Sequence, residues 1–287
     1  MRSRATVIFI AGLLLAACKP SAPVADAQLV TTAAVDASKA APASAAVAEA
    51  PVPAPEAVLR DIFKQPITAA ENAHLTDGRY AGYWSGHRFE LDGKRYFVGF
   101  AESTGETEIE YPTEDNTVTL SQATYVFDNG AWTLRGTQTG IGMFGSFEKP
   151  PQIDSEAAPQ AMSVGGRYFV GMPTVEVAMA GARLDFYELF AFAPRELEWT
   201  YLGYVAGGRD TRAGCTSDTD LQQPVKCAAS TAKLKFAPAA GNDWPAVTVA
   251  FDGDVVGADG EVRKATEQDA VEYRFDAASG SYSKILR

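Results

Sequence analysis

From Leu75 onward the chain alternates short aromatic or β-branched runs with Gly, Asn and Asp, and this texture restricts the possible folds more than any other feature. Arg95-Tyr96-Phe97-Val98-Gly99-Phe100, Thr117-Val118-Thr119-Leu120, Ala123-Thr124-Tyr125-Val126-Phe127 and Trp132-Thr133-Leu134-Arg135 are rich in residues that suit a pleated surface. Asp128-Asn129-Gly130 stands between two such runs. Asn-Gly supplies the positive φ angles of a tight hairpin, so an antiparallel pair is expected there. The expected fold class is all-β. Ahead of it, residues 57–73 can form a short helix with Leu59, Ile62 and Phe63 on one side, interrupted by Pro66.

The β region repeats itself. Arg95-Tyr96-Phe97-Val98-Gly99 returns 72 residues later as Arg167-Tyr168-Phe169-Val170-Gly171. The stretch from Tyr125 to Leu134, centred on Trp132, is echoed from Leu189 to Leu202 around Trp199. Each copy runs on into glycines, Gly140 and Gly142 in one and Gly207 and Gly208 in the other. A third aromatic hairpin pairs Tyr273–Asp276 with Ser281–Ser283. Two or three related antiparallel sheet units of about seventy residues follow, arranged as a propeller-like or sandwich body. Residues 57–149 hold the helix and the first unit, 150–163 form a link, and 164–287 hold the second and third units in one body with the first.

The N-terminus has a different character. Arg2 and Arg4 precede an uncharged run from Ala5 to Ala17, and Leu15-Ala16-Ala17-Cys18 closes it. At about 1.5 Å per residue the run is too short to cross a hydrocarbon core of about 30 Å, so it reads as the apolar part of a signal peptide. The order of basic residues, apolar run and Leu-Ala-Ala-Cys resembles the lipobox of bacterial lipoproteins. The resemblance implies that residues 1–17 are removed and that Cys18 becomes the acylated (palmitate-bearing) mature terminus, held in a lipid bilayer. Lys19, rather than Asp, after that cysteine implies the outer membrane, facing the periplasm. Residues 18–56 then form a tether. Positions 20–55 contain fourteen Ala and six Pro and no aromatic residue, a composition that breaks helix register and is expected to be disordered and partly extended.

Composition excludes some functions. The net charge is −11, and losing Arg2 and Arg4 would leave 23 Lys+Arg against 36 Asp+Glu, a net of −13. Nucleic acid is not an expected partner, because phosphate contacts need clustered cations. An acidic body instead suits a cationic protein or cell-wall partner. With Cys18 acylated, Cys215 and Cys227 remain as an even pair, expected to form one disulfide in an oxidising envelope. They lack the Cys-x-x-Cys spacing of a redox motif, and no His stands near them.

Catalytic signatures are absent from the sequence. Ser85-Gly86-His87 is not a Gly-x-Ser-x-Gly elbow, and there is no His-Glu-x-x-His, phosphate loop or dinucleotide fingerprint. No cofactor, metal or catalytic residue is expected. Asp252, Asp254, Asp259 and Glu261 come nearest to calcium ligands, but their order does not match an EF-hand loop. Glu102, Glu106, Glu108 and Glu110 alternate as a solvated face would. Ser279-Gly280-Ser281-Tyr282 resembles the Ser-Gly-x-Tyr loop of periplasmic lysozyme inhibitors. That resemblance implies partner contacts through Ser279, Gly280 and Tyr282, although the family's Tyr-x-x-x-Thr-Lys-Gly segment is missing. The expected function is a non-enzymatic, envelope-anchored module that binds protein or cell wall. The alternatives are an inhibitor or immunity protein against a cell-wall hydrolase, and a glycan hydrolase using paired carboxylates. Radioactive palmitate is expected to label the wild-type chain in a bacterial host and to leave Cys18→Ser unlabelled; label retained by the variant would refute acylation at that position.

Overall fold

The structure, a computed structural model, describes residues 50–105, 109–178, 181–215, 226–239 and 242–285, which belong to one compact unit. Cys18, the signal segment and most of the tether, together with Glu106 and Glu108, lie outside the described residues.

Helix α1 spans Pro55–Phe63, with Pro in its first turn, where a missing N–H is no loss. It stops well short of Ala73. Lys64 turns left-handed at φ 56° and its N–H bonds back to Arg60 O, and Pro66 follows two residues later. Val58, Leu59 and Ile62 are buried, and Tyr125 donates a 2.6 Å hydrogen bond to Asp61 that ties the helix down. Gly99 permits this approach: a Cβ there would lie 2.6 Å from Val58 Cγ1.

The helix covers the first sheet, an antiparallel meander in the order β1 (Ala73–His74), β2 (Tyr80–Leu91), β3 (Lys94–Ser103), β4 (Val118–Asp128) and β5 (Ala131–Phe144). Asn129 and Gly130 form the β4–β5 turn with φ 49° and 83°, the geometry that Asn-Gly favours. The second sheet contains β6 (Gln152–Ile153), β7 (Gln160–Val164), β8 (Arg167–Val177), β9 (Arg183–Ala193), β10 (Glu198–Asp210), β11 (Ala229–Ala239), β12 (Asn242–Val256), β13 (Val262–Lys264), β14 (Val271–Asp276) and β15 (Ser281–Lys284). Its order is β15-β14-β12-β11-β10-β9-β8-β6, with β13 on β12 and β7 on β8. β10 and β11 pair only where Arg209 and Asp210 meet Ser230 and Ala229, and the sheet bends at this point. It rolls over so that β10 meets β15 and β11 meets β7.

The all-β expectation holds, in its sandwich form rather than as a propeller. Two details differ. Residues 150–163 are not a free link, because β6 and most of β7 lie within them and pair with β8. The third hairpin is not a separate unit either: β14 joins β12 and extends the second sheet.

The sequence echo has a spatial counterpart. The consecutive strands β2–β5 and β7–β10 each form an antiparallel meander, and the repeated motif is the second strand of both. Tyr96, Val98 and Phe100 from β3 meet Tyr168, Val170 and Met172 from β8 in the layer between the sheets. Phe97 and Phe169 point the other way, into separate outer clusters. Both faces of each strand are therefore buried, which explains the continuous apolar runs. Arg95 lies 3.7 Å over the Phe127 ring, and Arg167 lies 5.0 Å over Trp244.

One polar network crosses the inter-sheet layer. Trp199, 2% exposed, donates its indole N–H to Thr124 at 3.0 Å, and Thr124 donates to Gln122 at 2.7 Å. Gln122 donates to Gln138 Oε1 at 2.8 Å; the same oxygen accepts the Trp199 backbone N–H at 2.7 Å, and Gln138 Nε2 donates to Trp199 O at 3.3 Å. Removing the Gln138 amide would strand buried donors, at about 1–3 kcal/mol. Gln138→Ala is expected to lower the unfolding free energy obtained from urea titrations by that amount; an unchanged free energy would mean that the network contributes nothing to stability.

Candidate functional site

Cys18, Glu106 and Glu108 apart, the structure places the residues singled out in the sequence. Cys215 and Cys227 form a disulfide, with Cα atoms 5.1 Å apart. Such a bond fits an oxidising, extracytoplasmic compartment. His87 faces the inter-sheet layer, where Nε2 lies 2.7 Å from the Tyr168 hydroxyl and the ring stacks on Phe89. Burial pushes its pKa down to about 4, so the neutral ring bridges β2 and β8. The calcium candidates do not converge. Asp252 accepts the Gly253 N–H and Asp259 accepts the Glu261 N–H; Asp254 pairs with Lys264 at 2.8 Å, and Glu261 with Lys226 at 3.6 Å. Among the described residues no group of three or more His, Cys, Asp or Glu side chains could hold a metal ion.

The proposed recognition loop is split. Gly280 turns at φ 68° in the exposed β14–β15 hairpin, beside Ser279. Tyr282 points inward: it is 7% exposed, packs with Phe275, and donates to Pro245 O at 2.7 Å. Tyr282 is therefore a core residue, and only Ser279 and Gly280 remain open to a partner. The alternation of β15 gives the reason, since Ser281 and Tyr282 must face opposite sides.

A concave site lies elsewhere. A cleft of about 630 Å³ crosses one end of β8, β9, β10, β11 and β12. Five carboxylates line it, Asp154, Glu156, Asp185, Asp210 and Asp252, against the guanidiniums of Arg183 and Arg212. Arg183, the first residue of β9, lies 2.8 Å from Asp185 on its own strand and 2.7 Å from Asp154 in the loop after β6. Arg212 holds Asp210, and its hydrogen bonds keep that carboxyl at about 2. Gly208 lets β10 close up here, because a Cβ would lie 2.4 Å from Ser230 O. Glu156 donates its backbone N–H to Asp154, but its own carboxylate makes no ion pair among the described residues. Asp252 uses one oxygen on the Gly253 N–H. The cleft carries a net negative charge, with hydroxyls from Ser230 and Thr231 at its wall.

Behind the cleft is Glu188, which the sequence reading did not single out. It is 4% exposed, accepts from Tyr201 at 2.6 Å, and accepts from Thr174, itself a lining residue, at 3.4 Å. Burial outweighs both hydrogen bonds and raises its pKa to about 7. Glu102 is half-buried against Gly82 rather than solvated, and burial raises it to about 7 as well. An acidic residue at an inward position of an apolar strand, as in Tyr187-Glu188-Leu189-Phe190, was the available signal.

The fold and its disulfide define an all-β sandwich suited to an oxidising compartment. Among the described residues no helix is long and apolar enough to cross a membrane. Comparison of the sequence with known protein families and with curated proteins gives no match.

Two inter-sheet groups act oppositely with pH. Glu188 binds a proton more tightly folded than unfolded, with about 7 against 4.5, so its contribution is present below pH 4.5 and lost as pH rises through 7. His87, lowered from 6.5 to about 4, contributes above pH 6.5 and is lost as pH falls toward 4. Glu188→Gln is therefore expected to gain stability relative to wild type between pH 4.5 and 8, by up to about 3 kcal/mol in urea titrations. A pH-independent difference would remove the raised pKa.

Proposed function

We propose that this chain is an envelope-anchored lipoprotein whose β-sandwich binds a cationic group on a protein or cell-wall partner. The observation that carries this reading is the 630 Å³ cleft with five carboxylates and two arginines. Its arginines stiffen the site by spanning Asp154, Asp185 and Asp210, while Glu156 and Asp252 supply negative charge for an incoming ammonium or guanidinium. The chain's net charge of −11 steers such partners over longer range.

The tether supports the same reading. Between Cys18 and Ala50 lie 31 residues, which in an extended polyproline form reach up to about 100 Å. Its last residues are fastened: Trp132 donates its indole N–H to Ala50 O at 3.2 Å, and Val52 packs on the cluster beneath α1. A lipid on Cys18 would thus hold the body near a bilayer while leaving it free to reach partners.

The full chain is tested for co-sedimentation with purified cell-wall sacculi and for binding to, and inhibition of, a basic lysozyme. Binding to either that falls in high salt and falls about tenfold in Glu156→Gln with Asp252→Asn supports the proposal. Inhibition of lysis would select the inhibitor alternative. No binding to either, or binding indifferent to salt and to these substitutions, overturns the reading.

A further inference from the structure

At the opposite end of the sandwich a cleft has the opposite charge in its lining. A second cleft, about 460 Å³, opens where three hairpins from both sheets meet. Lys94 enters from just past the β2–β3 turn, Arg135 from β5, and Arg195 from the β9–β10 turn. Asp128 is the acid in the lining, and it faces Arg135 at 3.6 Å. Asp92, in the β2–β3 turn, is close enough to Tyr96 to help burial raise that phenol. Three cations against one lining carboxylate stand out in a chain of net charge −11.

The cleft is built rather than incidental. Leu197 fixes the Arg195 turn, packing on the inter-sheet core while its backbone takes φ 59°. Gly136 makes room for it, since a Cβ there would lie 3.3 Å from Leu197 O. Tyr96 and Leu197 give the cleft an apolar floor, and Arg95, stacked on Phe127, adds positive potential behind it. Lys94 and Arg195 are exposed and have no ion-pair partner among the described residues, so their donors are available.

We infer that this second cleft is a binding site for a phosphorylated small organic group, with Arg195 and Lys94 contacting the oxyanion and Tyr96 and Leu197 supporting the organic portion. The volume exceeds what a lone oxyanion fills, and guanidinium geometry matches phosphate oxygens. The phosphate could come from a soluble sugar phosphate or from a lipid headgroup, and the test separates these sources. This inference does not depend on the acidic cleft or on the anchor.

The full chain is titrated in neutral detergent with glucose 6-phosphate and with glucose, by calorimetry at low salt. In parallel it is floated with phosphatidylcholine vesicles with and without phosphatidic acid, and the difference between the two is read. Binding of glucose 6-phosphate but not glucose, or extra flotation with phosphatidic acid, is expected. Either signal should fall about tenfold in Lys94→Glu with Arg195→Glu. The milder Lys94→Gln with Arg195→Gln should weaken binding in the same direction and keeps the test valid if the double reversal lowers the melting temperature. Absence of both signals, or variants that bind as wild type, would overturn the inference.

Discussion

Trp199 is the point on which the two sheets depend. A sandwich needs its inner faces to agree in register, and apolar contact alone tolerates sliding. Here the indole N–H, the backbone N–H and the backbone carbonyl of one residue on β10 are all satisfied by side chains of β4 and β5. Thr124, Gln122 and Gln138 can serve only one position of the second sheet. The surrounding rings, Phe89, Phe100, Phe190 and Phe192, then pack within 4.8–6.4 Å of each other or of Trp199. The polar network supplies the register and the aromatic layer supplies the burial energy.

Once the sheets are registered, the chemically capable side chains divide into two groups. His87, Glu188, Tyr201 and Tyr282 are held in internal hydrogen bonds and serve the fold. The charged side chains at the strand ends remain accessible. Because the hairpin turns of β2–β3, β4–β5 and β9–β10 fall at one end, and the starts of β9 and β11 with the end of β10 fall at the other, the two sets gather in separate clefts. The result is a body with one cleft of acidic lining and one of basic lining. This separation favours recognition by charge.

Legibility in the sequence followed interaction range. Asn129-Gly130 was readable because a turn is a local matter of φ angles, and Cys215 with Cys227 because they are the two cysteines of the β region and stand close together in sequence. The repeated Arg-Tyr-Phe-Val-Gly was readable, and it occupies matching strands. The helix end was misjudged because Lys64 takes a left-handed cap that no periodicity announces. Residues 150–163 looked like a linker because their Pro and acidic content hides two short strands whose pairing with β8 is non-local. Glu102 looked solvated by alternation, yet the close approach of Gly82 and its neighbours buries it.

By itself the sequence determined the strand content, the tight turns, the repeated unit and the cysteine pair, because these depend on backbone preference and pattern within a few residues. Only the tertiary structure decided which residues face each other. The Trp199 network, the burial of Glu188 and Tyr282, and the sorting of charge into two clefts all join residues on different strands, more than ten positions apart. Such pairings depend on sheet order and on the roll of the second sheet, which the pattern along one strand does not encode.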